Sequence, residues 1–408
     1  MVPDDSWRKT LTILLLVTFV SNAGMSMIVP FLSLYVVQMG ITNQSQAVLW
    51  SGMIFGANHL FISLSSPFWG KLADRLGPKT VMIPSGLAMG IVYAGMAFAA
   101  SPIHLLMLRC VFGMVGGFGA ASVALQAIVT PKERAGEALG KLQAAAVAGG
   151  LLGPLLGGVV AESIGMQHTF LVTSGSIIVS TLIVLFSVKR PSPVLVPKQS
   201  SSSTSFGAVL KNTPLIMALY FSSFLLSAGI QTIEPILTLY VENSMGIHRH
   251  VETVSGLIFS TSALGTVLAA SYLGNLGDRV GAHRVLLICL LLTTLFYIPQ
   301  AFVTNPYVFS ILRFMTGISI GGLIPSINAL LRRTTSKENQ GMTFGLNQTA
   351  MSMGNVVGPL LGAVIDNQFG VQTIFYGTSS LFAINLIWIY VVSRMSVSKK
   401  FFDDSIAV

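Results

Sequence analysis

Apolar runs of roughly 20 residues, separated by short polar stretches, follow one another along almost the whole chain. A run of that length matches an α-helix crossing the hydrocarbon core of a bilayer. Twelve spans are marked, at about 10–37, 48–70, 80–100, 104–127, 138–161, 169–188, 214–241, 253–273, 284–303, 307–330, 342–365 and 371–393. The pattern predicts an all-α polytopic membrane protein with twelve transmembrane helices. The first run follows Trp7-Arg8-Lys9, is too long for a signal-peptide core and shows no small-residue cleavage site, so it reads as a retained helix.

The polar punctuation repeats. Gly70-Lys-Leu-Ala-Asp-Arg-Leu-Gly77 recurs as Gly274-Asn-Leu-Gly-Asp-Arg-Val-Gly281, 204 residues later. Gly149-Gly-Leu-Leu-Gly-Pro-Leu-Leu-Gly-Gly158 recurs as Gly354-Asn-Val-Val-Gly-Pro-Leu-Leu-Gly-Ala363, and Pro30-Phe-Leu-Ser-Leu-Tyr-Val36 as Pro235-Ile-Leu-Thr-Leu-Tyr-Val241. Matched pairs in one order predict two pseudo-symmetric six-helix bundles, 1–188 and 214–408, the arrangement of a transporter whose site lies where parallel repeats meet. The intervening 189–213 is rich in Pro and Ser and reads as a cytoplasmic tether.

Only 9% of residues are charged against 52% hydrophobic, too few charges to cover a water-facing surface, for which about 25% is usual. The net charge of +9 is a topology signal. Of 23 Lys and Arg, 20 lie at the termini and in the even-to-odd loops with their flanking turns; the odd-to-even loops hold Arg249 alone, and Arg109 and Arg313 lie inside spans. The positive-inside rule then places both termini and the tether in the cytoplasm, and no concentrated basic patch is left for nucleic acid. Cys110 and Cys289 fall inside apolar runs, without disulfide or metal-ligand spacing. No phosphate-binding loop, metal cluster or nucleophile–base set is legible, so neither an enzyme nor a self-contained ATP-driven pump is expected, and no metal or cofactor.

The paired Asp-Arg motifs are read as tight loops between spans 2 and 3 and between spans 8 and 9. Gly70, Gly77, Gly274 and Gly281 serve the turns. Asp74 and Asp278 are placed to accept from a neighbouring helix N-terminus. Arg75 and Arg279 can pair with acidic groups or lipid phosphates. A latch that holds one conformation and releases in another fits two such copies. In span 5, Gly149, Gly153 and Gly157 fall on one face that admits close approach of another helix, while Pro154 can kink the span and Gly158 completes the motif. Gly354, Gly358, Pro359 and Gly362 repeat this in span 11 and are expected to pack across the bundle interface.

Trp69-Gly-Lys-Leu-Ala-Asp-Arg-Leu-Gly-Pro-Lys79 resembles the loop signature of the major facilitator superfamily, and Gly149–Gly158 resembles the span-5 motif of its 12-helix drug:proton antiporters. The chain is most similar to the MdtG/PmrA-type bacterial multidrug efflux permeases; the likeness also covers Ser66-Pro-Phe-Trp-Gly70 and Gly136-Glu-Ala-Leu-Gly140. The resemblance implies the major facilitator fold, the cytoplasmic membrane of a bacterium, a monomer that needs no partner to form its pathway, small-molecule substrates and protons as the coupling ion.

Charges inside spans need a reason, because each costs about 2.5 kcal/mol or more. Glu234 precedes Pro235 in span 7, where the first half has Val29. A carboxyl there can bind a cation, carry a proton, or do both in competition. Arg109 matches the antiporters' span-4 Arg motif, which the resemblance links to proton transfer; Arg313 is its near-repeat, and both stay charged. His59 lies mid-span and can titrate or serve as a polar cavity residue. Asn22, Gln126, Asn328, Asn347, Gln348 and Asn355 offer hydrogen bonds to substrate or between helices. Span 1 carries no acid, unlike many drug antiporters. Asp366 and Glu162, at the ends of spans 11 and 5, rank below Glu234 for coupling. These features predict proton-coupled efflux of hydrophobic or cationic compounds by alternating access. A transporter of a specific metabolite, such as a sugar, organic anion or siderophore, is the alternative.

Overall fold

In the computed structural model, residues 6–131, 134–188, 214–335 and 339–394 are described. The tether at 189–213 and the extreme termini lie outside them. The helices are α1 (Ser6–Ser26), α2 (Leu32–Gln38), α3 (Gln44–Leu76), α4 (Pro78–Ala97), α5 (Pro102–Val115), α6 (Phe118–Val129), α7 (Ala135–Ile164) and α8 (Met166–Ser187). The second half follows with α9 (Pro214–Gln231), α10 (Leu237–Asn243), α11 (Val251–Val280), α12 (Ala282–Gln300), α13 (Pro306–Thr334), α14 (Gln340–Phe369) and α15 (Thr373–Arg394). Among the described residues, eleven helical stretches are long and apolar enough to cross a membrane. The remaining long helix, α14, is the span expected at 342–365; it carries Asn347, Gln348, Asn355 and Asp366.

Spans 1 and 7 are each interrupted. The α1/α2 pair is joined through a 3-10 turn at Val29–Phe31 and the α9/α10 pair through one at Glu234–Ile236. Pro30 and Pro235 lack the amide that a continuous helix needs, so both breaks follow from the repeated Pro. Span 4 breaks between α5 and α6 at Gly116-Gly117, whereas its repeat α13 runs unbroken.

The paired Asp-Arg motifs are not loops. Gly70 to Leu76 belong to the last turns of α3, and Gly274 to Val280 to those of α11. The chain turns on a single residue each time, Gly77 at φ 87° and Gly281 at φ 99°. Positive φ at one residue is a state only Gly adopts without cost, which lets the next helix begin at once. Gly165 (φ 90°) and Gly370 (φ 85°) make the equivalent joints after α7 and α14.

The described residues divide into two compact units: one holding those within 6–43, 53–188 and 248–260, the other those within 44–52, 214–247 and 261–394. Within each, large apolar side chains face outward, as in Phe186 (81% exposed) and Tyr307 (80%), the pattern expected against lipid. Small polar side chains inside bond carbonyls of adjacent helices. Thr173 donates to Gly24 O at 2.9 Å and Ser174 to Gly90 O at 2.7 Å, and Ser379 donates to Thr294 O at 2.9 Å. Such bonds and small-residue contacts replace the hydrophobic drive that lipid does not supply.

The glycine rows correct one expectation. A Cβ on Gly149, Gly153 or Gly157 would meet backbone of α1 and of the residue just after it, at Phe19, Ala23 and Met27. On α14, Gly354, Gly358 and Gly362 meet Phe224, Ala228 and Thr232 at the equivalent part of the second half. The i, i+4 glycines of both rows therefore seat helices of their own half, while the motif's Pro154, Gly158 and Pro359 meet a helix from the other half. In the first unit the α7 residues beside that row meet α11: Gly158 lies against Glu252, with 2.6 Å from an added Cβ to its carbonyl oxygen, and Gly256 lies against Pro154 O. In the second unit Gly52 lies against Pro359, at 2.7 Å from an added Cβ to its oxygen.

Candidate functional site

Each unit holds a buried arginine on a tyrosine. In the first, Arg109 on α5 is 4% exposed; its Nη1 donates to the Tyr93 hydroxyl at 3.4 Å and its guanidinium lies 5.4 Å from the Tyr93 ring centre. A guanidinium over an aromatic face gains from the ring quadrupole as well as from the hydroxyl. Tyr93 on α4 is wedged against Phe112 (4.8 Å, edge-on) and donates to Met25 O at 3.4 Å. His59 on α3 is half-buried, packs on Phe55 with ring centres 5.0 Å apart, and lies within electrostatic reach of Arg109. The first-half candidates Arg109 and His59 are thus brought together.

In the second unit Arg313 on α13 is 5% exposed and lies within electrostatic reach of both Tyr297 and Glu234. Tyr297 stacks on Phe382 at 5.6 Å. Glu234 sits in the break between α9 and α10, partly buried, where the 3-10 turn presents it back toward α9. With its amide nitrogen facing the carboxylate, Gln231 donates to both Glu234 oxygens, at 2.5 and 3.2 Å. Glu234 and Arg313 are therefore brought together, with two residues the sequence reading passed over, Gln231 and Tyr297. Tyr297 was findable, since Tyr93 and Tyr297 stand at the same 204-residue offset as Arg109 and Arg313. The Nε atoms of Arg109 and Arg313 are both buried without a hydrogen-bond partner among the described residues. A buried unpaired donor is costly, and the two halves carry the same cost at the same repeat position.

The break after Arg109 is held open by its neighbours. Ser85 Oγ donates to Val115 O at 2.6 Å and accepts from Gly117 N at 2.9 Å. Ser65 Oγ reaches Gly113 O at 2.9 Å, and Trp69 Nε1 reaches Met114 O at 2.7 Å. The peptide groups freed by the break are thus satisfied from α3 and α4, as low-dielectric surroundings demand.

Other candidates fall elsewhere. Asn22 Nδ2 donates to Thr18 O on its own helix at 2.8 Å. Gln126 bonds Thr130 at 2.6 Å, and Asn347 accepts from Ser223 on α9 at 2.6 Å, a bond between helices. Asp366 is 4% exposed and its Oδ2 has no partner among the described residues. Among the Asp-Arg motif residues, Asp278 is exposed and pairs with Arg333 at the end of α13 at 3.8 Å. No group of three metal-binding side chains occurs among the described residues.

Discontinuous helices carrying polar groups, repeated in two halves, define a secondary-transporter fold. The chain belongs to the Major Facilitator Superfamily, whose family model matches residues 14–252 and 219–404. It is 36% identical over 399 residues to the multidrug resistance protein MdtG of Dickeya zeae (strain Ech586), covering 98% of each chain. It is also 36% identical over 386 residues to that of Escherichia coli O81 (strain ED1a), covering 95% of each. Among solved structures, a bacterial homolog of the human lysosomal transporter Spinster in an inward-facing, unoccupied conformation superposes with a TM-score of 0.79 at 14% identity, over 97% of this chain and 98% of that one. The nucleoside transporter NupG gives 0.80 at 12% identity, over 94% and 99%.

Proposed function

We propose that this protein is a multi-pass transporter of a bacterial cytoplasmic membrane that exports hydrophobic or cationic drugs in exchange for protons, alternating between inward-open and outward-open states. The observation that carries the coupling is the Glu234 cluster. The carboxylate is partly buried in a helix break, bonded by Gln231 and beside Arg313. A carboxylate so placed is poised to exchange its internal partners for a proton or a cation. The first half has His59 near its Arg–Tyr pair and no acid at the matching position, so coupling is asymmetric.

Efflux of drugs is supported by the MdtG relatives, which span nearly the whole chain. The halves 1–188 and 214–408, joined by 189–213, act as the two moving bundles. Both termini lie in the cytoplasm, by the distribution of Lys and Arg. The protein works as a monomer without cofactor and catalyses no covalent chemistry. Coupling arises because drug and proton favour different conformations. The Asp-Arg motifs at the ends of α3 and α11 latch one of them, with the Asp278–Arg333 pair as the contact that opens.

Everted vesicles supplied externally with a panel of dyes and antibiotics, with and without a proton gradient, test the function; gradient-dependent uptake is expected, and accumulation indifferent to the gradient refutes proton coupling. In proteoliposomes, Glu234→Gln is expected to abolish drug-driven proton movement. Unchanged coupling in that variant removes Glu234 from the mechanism.

A further inference from the structure

Beyond the Glu234 cluster, one carboxylate binds two side chains on a distant stretch of chain. Glu162, in the last turn of α7, bonds His250 Nδ1 through Oε1 and Thr253 Oγ1 through Oε2. Arg249 adds its charge at the same carboxylate. His250 holds φ 60°, the one non-glycine residue with positive φ among those described, and its carbonyl accepts from Val254 N at 3.0 Å to start α11. A left-handed His at this point is strained, and the bond to Glu162 helps to hold it there.

Below this bond the contact between α7 and α11 is flat. Gly158 and Gly256 meet backbone, and Ser260 Oγ donates to Leu151 O at 2.8 Å. Small residues and backbone give close approach without interlocking side chains, a surface that can part. This contact explains why His248–Ser260 groups with the first unit although α11 continues into the second from Thr261.

The arrangement is built twice. Gln44–Gly52, the first turns of α3, group with the second unit, where Gly52 lies against Pro359 of α14. Asp366 stands 204 residues after Glu162, buried, with Oδ2 unpartnered among the described residues. A carboxylate follows the small-residue contact in both repeats, but only Glu162 has paired side chains to bond.

We infer that Glu162, His250 and Thr253 form a releasable clasp that fixes the start of α11 to α7 and must open once in each transport cycle. The inference rests on the alternating-access reading above. The clasp lies at the end of α11 opposite Asp278 and Arg279, so the helix carries a releasable contact at each end. It is held by polar bonds at partly exposed side chains, 29% for Glu162 and 55% for His250, where water can compete when it opens.

The test uses the full-length protein in proteoliposomes, with Cys110→Ala and Cys289→Ala. In the Glu162→Cys, Thr253→Cys variant, a short bis-methanethiosulfonate reagent is expected to link the two positions and stop drug transport while dye binding persists. Cleavage by dithiothreitol should restore transport. Full transport by the linked protein, or no linking although each cysteine is labelled singly, overturns the clasp. Gradient-independent accumulation by the Cys110→Ala, Cys289→Ala protein that keeps Glu162 and Thr253 counts against the alternating-access reading instead. Separately, Glu162→Gln in a Ser255→Cys background should raise labelling of that fully buried position by a membrane-impermeant maleimide about three- to tenfold. Labelling unchanged from the Glu162 protein overturns the clasp as well.

Discussion

Two glycines seven residues apart on α7 should respond to the same substitution with opposite signs. An added Cβ at Gly157 would fall 2.7 Å from Met27 Cα and 2.8 Å from Met27 C, against backbone that cannot rotate away. At Gly150 an added Cβ meets nothing within 4 Å. Replacing a helical Gly by Ala contributes about 0.5–1 kcal/mol from backbone entropy alone. Overpacking a tight contact costs about 1–3 kcal/mol. Gly157→Ala is therefore expected to lose about 1–2 kcal/mol net, while Gly150→Ala keeps the gain. For a unit of some 200 residues this corresponds to a fall of about 3–6 °C for Gly157→Ala and a rise of about 1–3 °C for Gly150→Ala. Thermal unfolding in one detergent, followed by tryptophan fluorescence and by retention on size exclusion, reads both. Equal shifts for the two variants, or a neutral Gly157→Ala, would show that the row does not set the α1–α7 spacing.

Two further substitutions separate structural from conformational roles. Lys79 is 8% exposed and its Nζ donates to the end carbonyls of the α8 segment, Leu185 O at 2.9 Å and Val188 O; Lys79→Met should cost about 1–3 kcal/mol, read as an earlier thermal midpoint, and an unchanged midpoint denies the cap. The Asp278–Arg333 pair is 3.8 Å apart and exposed, so Asp278→Asn should change stability by less than about 1 kcal/mol. A large loss of transport at near-normal stability is expected from a latch, and parallel losses of both argue for a merely structural contact.

Hydropathy made the spans legible because lipid contact is written in composition, and the 204-residue repeat made the two halves legible without any contact information. The interruptions at Pro30 and Pro235 were not read, since hydropathy runs unbroken through 10–37 and 214–241 although Pro stands at both. What the pattern could not convey is which partner a small residue meets. Gly149, Gly153 and Gly157 declare a flat face in sequence, yet only packing shows that α1 occupies it. The Asp-Arg motifs looked like loops because they are polar; one positive-φ Gly suffices to turn the chain, so the helices continue through the charges. The break at Gly116-Gly117 was also hidden, since its counterpart in α13 is unbroken despite Gly321-Gly322, and the difference lies in what Ser85, Ser65 and Trp69 offer the freed peptide groups. In the candidate site, Glu234 and both arginines stood out as charges in apolar runs. Gln231 did not, because an amide one turn from a carboxylate has meaning only once the helix break aims the carboxylate back.

The helices fall into two length classes, and bilayer thickness acts on them differently. At 1.5 Å per residue, α4, α8, α12 and α15, of 20, 22, 19 and 22 residues, reach about 29–33 Å, close to the hydrocarbon core. In contrast α3, α7, α11 and α14, of 33, 30, 30 and 30 residues, reach about 45–50 Å and carry the Asp-Arg motifs and the Glu162 contact near their ends. A thicker membrane strains the short class first, through tilt and local thinning, and draws lipid headgroups up around the ends of the long class. Acyl-chain length thereby becomes a variable that bears on the moving contacts of this protein without touching its central charges.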